Sequence, residues 1–113
     1  MSSGFNQREE GNEAKIKHDS DVHFRIQARR DKLLGEWVAA QLGLEGDAAA
    51  KYALEVVKAD IQEPGDDDVL KKILADFKKH GIDHSEDAVS QRMAEFESIA
   101  TEQVHQEGFD ADD

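Results

Sequence analysis

Cysteine is absent from this 113-residue chain. Disulfides, thiolate metal sites and cysteine nucleophiles are therefore excluded together. Proline occurs once, at Pro64, and β-branched residues are too sparse to form an alternating run, so no strand is expected. Aromatics make up 6% and apolar residues 38%, with a mean hydropathy of -0.73, which limits the chain to a modest core. No apolar run approaches the roughly 20 residues of a membrane helix, and the N-terminus is too polar for the apolar region of a signal peptide. A cytosolic location without direct membrane insertion is expected. Positive charge is also scarce: 14 Lys and Arg stand against 26 Asp and Glu, a net charge of -12. Binding a phosphate backbone calls for a basic stripe, so nucleic acid is not an expected partner.

The charge that is present is unevenly placed. Met1 to Gln41 carries seven basic and seven acidic residues, whereas Leu42 to Asp113 carries seven basic and nineteen acidic ones. The chain reads as an anionic helical body with a neutral N-terminal third. Residues 1–18 have few apolar anchors beyond Phe5 and Ile16, and Gly11 disfavours helix by about 1 kcal/mol against Ala. Ordering a residue costs about 1–2 kcal/mol of backbone entropy. A flexible or transiently helical arm over 1–18, ordered on binding, is the expectation.

From residue 19 the apolar spacing is helical. Helices are expected at about 19–42, 47–62, 66–80 and 85–106, with a disordered tail over 108–113. In the first, Val22, Ile26, Leu33, Trp37 and Val38 form the apolar stripe. Arg29 and Arg30 cross it and are expected to send their guanidinium groups to water. Gly35 marks a bend, and Gly43 the stop. Asp47 is the expected cap of the second helix, whose stripe is Tyr52, Ala53, Val56, Val57 and Ile61. Pro64-Gly65 turns the chain, one of Asp66, Asp67 and Asp68 caps the third helix, and Val69 to Phe77 supply its stripe. Gly81 ends that helix, Ser85 caps the last one, and Val89, Met93, Phe96, Ala100 and Val104 run down its face, helped by Ile99. Connections of about four residues favour antiparallel neighbours, so the fold class is an all-α four-helix bundle. Its core is expected around Leu33, Trp37, Val56, Val57, Leu70, Ile73, Leu74, Phe77, Met93 and Phe96.

Catalytic patterns find no support. His80 and His84 have a metal spacing, but Gly81 breaks the helix between them and no third ligand is fixed. Asp66-Asp67-Asp68 lacks the alternating ligands of a calcium loop. No phosphate loop is present, and no serine has a base arranged beside it. Neither enzyme activity, nor a cofactor, nor a metal is expected. Binding remains, through the basic cluster Arg25, Arg29, Arg30 and Lys32 beside the loose arm. A protein interface is one reading of that cluster; a solvated helix face and a weak purine-nucleotide sensor site are the alternatives.

The stretch ARRDKLLGEWVAAQLGL, residues 28–44, carries a more specific signal. Its double arginine, KLLG, tryptophan and closing LGL resemble the signature of a small alphaproteobacterial family that includes the ATPase-inhibitor zeta subunit of the F-type ATP synthase. Tyr52, Glu55-Val56-Val57, Ala59-Asp60, Glu63-Pro64-Gly65-Asp66, Gly81 and Arg92-Met93 resemble it downstream. Arg8-Glu9, Glu13-Ala14-Lys15 and His18-Asp19 resemble its N-terminal block. The resemblance implies a four-helix regulatory subunit whose N-terminal segment enters a catalytic α/β interface of F1, near the central stalk, and blocks hydrolysis. The attachment would be peripheral to the inner membrane, through the synthase. Together with the charge pattern, it places the protein interface at Phe5, Arg8, Glu9, Asn12, Lys15, Ile16, Asp19, Arg25, Arg29, Arg30 and Lys32. One departure matters: Gly11-Asn12 stands where the family has Ala-Phe, so inhibition is expected to be weakened.

Overall fold

The computed structural model describes residues 2–62 and 65–108, with side chains from Ser20 onward. Four helices follow in order: α1 (Ser2–Gln41), α2 (Gly46–Gln62), α3 (Asp66–Lys79) and α4 (Glu86–Gln106). Helix α1 packs on α2 and α4, and α3 packs on the same two, so the four close into an all-α bundle. The sequence-based arm, residues 1–18, falls on positions whose side chains lie outside the described residues, as does most of the tail from 108 onward.

Local chemistry sets the helix ends. The Gly43 amide donates to the Ala40 carbonyl at 3.1 Å and Leu44 to Ala39 at 2.9 Å, while Gly43 takes the left-handed φ of 80°. Gly81 repeats the arrangement: its amide reaches Lys78 at 3.1 Å, and that of Ile82 reaches Phe77 at 2.9 Å. Both are Schellman endings, in which the chain folds back so that Leu44 and Ile82 pack against the core. Ser85 accepts from the Ala88 amide at 3.1 Å and caps α4. The expected aspartate cap of α3 is not there. Gly65 holds the cap position without a side-chain bond, and Asp66, Asp67 and Asp68 form the first turn, where the helix dipole favours them. Asp47 likewise sits inside the first turn of α2.

The core contains Leu34, Val38, Tyr52, Val56, Val69, Leu70, Ile73, Phe77, Val89 and Met93. In α1 it lies one position along from the expected Leu33 and Trp37, which are only half-buried. Gly35 explains the shift. A Cβ there would stand 2.6 Å from the Ala53 Cα, so the backbones of α1 and α2 touch at this point. Gly35 is a contact, not a bend. The seam follows Asp31, Gly35, Val38 and Leu42, spaced four, three and four, instead of the 33–37 edge. The half-buried residues close the far end. Trp37 meets Phe77 edge-on at 5.9 Å, and the His84 ring lies 4.6 Å from Phe77 and 5.6 Å from Trp37. His84 is thus an aromatic packing residue. Ile61 and Ile99, expected in the stripes, are exposed.

Candidate interaction site

The largest departure from the expected stripe is at Arg30 and Asp31. Arg30 is only 2% exposed and Asp31 1%, in the middle of the seam. The Arg30 guanidinium does not reach water. Its Nε and Nη2 donate to Asp31 Oδ1 at 3.1 and 3.0 Å. Nη2 also faces Asp60 of α2 at 3.6 Å, and Nη1 faces Asp66 of α3 at 3.0 Å and Glu97 of α4 at 3.7 Å. One planar cation therefore ties all four helices together, a role that the fork geometry of arginine suits and lysine does not.

One cation among four carboxylates leaves an excess of negative charge. The consequence falls on Asp31. Burial pushes its carboxyl up to about 8, the hydrogen bond with Asp60 and the charge of Asp60 push the same way, and Arg30 only partly offsets them. At neutral pH Asp31 is the protonated partner, donating to Asp60 while its Oδ1 accepts from Arg30. Arg30 itself is held more firmly charged: burial opposes its charge, and Asp31 and Asp66 more than compensate.

This cluster floors a groove of about 960 Å³ between α1 and the facing ends of α2 and α3. Phe24 and Ala28 of α1 and Val57 and Ile61 of α2 supply its apolar lining, with Asp31, Asp60, Asp66 and Glu97 as its acids. A second groove of about 820 Å³ runs between α1 and α4, and His23, Gln27 and Glu97 border both. Gln27 donates to Glu97 at 2.9 Å and fixes that border.

The sequence-derived basic cluster is accordingly divided. Arg30 is enclosed. Arg29 turns to α4, donating to Gln103 at 3.0 Å and pairing with Glu107 at 2.7 Å. Arg25 and Lys32 are exposed. Phe5, Arg8, Glu9, Asn12, Lys15, Ile16 and Asp19 fall on positions whose side chains lie outside the described residues. Sequence reasoning missed Asp31, Asp60, Asp66 and Glu97 as a unit. The available signal was the break in the stripe between Ile26 and Leu33, where a core-facing register is filled by charge. Among the described residues, no acidic or histidine group is arranged to hold a metal ion.

A family model described as ATPase inhibitor subunit zeta matches residues 1–103. A solved solution NMR structure of a protein is 41% identical, with a TM-score of 0.67, covering 76% of this chain and 98% of that one. No curated protein matches.

Proposed function

We propose, from the premise that this chain belongs to the ATPase inhibitor subunit zeta family, that its N-terminal segment delivers the inhibition that defines the family. The family is regulatory and not enzymatic, and its members act on F1-ATPase. In this reading residues 1–18 enter a catalytic interface between an α and a β subunit, near the central stalk, and block rotation in the hydrolysis direction. The bundle stays outside and holds the segment in place. The observation that carries the reading is the span of the family match, residues 1–103, which takes in the arm and the bundle together. The bundle offers a firm mount, since Arg29 and Arg30 lock α1 to the other helices about three turns beyond the arm. Among the described residues, no helix is long and apolar enough to cross a membrane. Attachment to the inner membrane would come through the synthase, with the protein itself on the cytoplasmic side.

The purine-nucleotide reading loses its central cation. Arg30 is surrounded by carboxylates, and a phosphate placed there would meet Asp31, Asp60, Asp66 and Glu97. Titration of the pure protein into the F1 complex of its own organism, with ATP hydrolysis and co-purification read separately, tests the inhibitory reading. Stoichiometric binding with a partial loss of hydrolysis, limited by Gly11-Asn12, is expected. Binding without inhibition would keep the subunit role and trace the deficit to Gly11-Asn12, and absence of binding would remove the role.

A further inference from the structure

We propose that the groove between α1 and the facing ends of α2 and α3 is a docking surface for a segment of a protein partner, one presenting an arginine or lysine among apolar side chains. The partner's identity as F1 rests on the proposed function; the chemistry it must present is set by the groove.

Two large apolar residues stand on opposite walls. Phe24 on α1 is 56% exposed and Ile61 on α2 is 54% exposed. Both face the same groove, with Ala28 and Val57 beside them. Exposed apolar residues scattered singly need no explanation, but a pair facing across one groove forms a contact patch.

Charge selects the occupant. Among the described residues, the groove is lined by Asp31, Asp60, Asp66 and Glu97 and by no lysine or arginine, with His23 as the imidazole. Arg30 lies behind these acids and is already engaged by them. Asp66 and Glu97 keep 66% and 48% of their side-chain surface open, so their remaining lone pairs are available to an incoming cation. A phosphate or an acidic peptide would be repelled. A second copy of this chain would bring a net charge of -12 against its own acidic groove. The acidic chain end, GFDADD, is disfavoured for the same reason. A basic and apolar segment of a different protein satisfies both the walls and the floor.

Position strengthens the assignment. Phe24 follows residue 18 by six positions along α1, about 9 Å at 1.5 Å per residue. A partner that receives residues 1–18 therefore passes close to the groove. Engagement of one raises the effective concentration of the other.

The test uses the full chain and the F1 complex of its own organism, with affinity measured by biolayer interferometry and folding by circular dichroism. Phe24→Ser and Ile61→Ser are each expected to weaken binding about tenfold, the scale of a modest interface anchor. Leu54→Ser, at a 51%-exposed position outside the groove, is expected to stay within about twofold of wild type. Ile61→Lys is expected to bind more weakly than Ile61→Glu, because a basic occupant is repelled only by the former. Groove variants that fold and bind like wild type overturn the groove while leaving the subunit role intact. The reverse order for Lys and Glu overturns the basic occupant. Failure of wild type itself to bind F1 overturns the function reading and this inference with it.

Discussion

Replacing Asp31 by Asn isolates the buried charge cluster, because Asn reproduces the protonated acid. Its Oδ1 can accept from Arg30 Nε and Nη2, as the carboxyl does at 3.1 and 3.0 Å, and its amide can donate toward Asp60. What Asn cannot do is ionise. The wild-type carboxyl has a folded value near 8 against 3.8 in the unfolded chain. Between those limits the native state holds a proton that the unfolded chain has released. Stability is therefore full below the unfolded value and is lost as pH rises through the folded one. One proton gives a slope of at most about 1.4 kcal/mol per pH unit.

Urea unfolding followed by Trp37 fluorescence at intervals from pH 6 to 9, for wild type and Asp31→Asn, measures the effect. The five histidines are common to both proteins, so the difference between the curves carries the result. The advantage of the Asn variant is expected to grow with pH by up to about 1.4 kcal/mol per unit and to level off above pH 8. A difference that stays flat across the range, or an Asn variant less stable than wild type at pH 9, would refute the account of a protonated Asp31.

Gly35→Ala is expected to lower the urea midpoint, with a loss of about 1–3 kcal/mol from forcing α1 off Ala53. That outcome opposes the roughly 1 kcal/mol by which Ala favours helix over Gly, so a stabilised variant would show that the two backbones can separate freely. Tyr52→Phe removes the 2.7 Å bond to Asp76 and is expected to lose about 1 kcal/mol in the same assay, a modest figure because Lys72 still serves Asp76 at 3.2 Å. Gly11→Ala with Asn12→Phe is expected to strengthen F1 inhibition about ten- to a hundredfold, the equivalent of burying one Phe side chain. Unchanged inhibition with binding retained would show that residues 11–12 do not limit activity.

What was legible in the sequence was local. Gly43 and Gly81 each declared a helix end, and Ser85 a helix start, because the relevant hydrogen bonds join residues a few positions apart. The stripes of α3 and α4 were readable for the same reason: Ile73, Phe77, Val89, Met93 and Val104 need only their own helix to be aligned. The register of α1 was not readable, because it depends on a glycine of one helix meeting an alanine of another. Arg30 was misread on related grounds. A long cation crossing an apolar stripe ordinarily reaches water, and only the convergence of Asp60, Asp66 and Glu97 from three other helices makes burial tolerable. Nothing in the spacing of residues 30, 60, 66 and 97 announces that they meet.

That convergence changes what the basic residues of α1 are for. By sequence, Arg25, Arg29, Arg30 and Lys32 look like one patch offered to a partner. In the fold, Arg30 faces inward and Arg29 clamps α4, and both are tied to carboxylates of the body. Residues 1–18 meanwhile hold Arg8, Lys15 and Lys17 against Glu9, Glu10 and Glu13, a balance of zero, and the whole net charge of -12 rests on the remainder of the chain. A neutral segment can enter a subunit interface without carrying net charge into it, while a body of high charge resists following. Electrostatic attraction to a partner can then come from the acids of the body, four of which line the groove beside Phe24 and Ile61. Arg30, which by sequence looked like part of a basic interface, instead holds the acidic groove in shape.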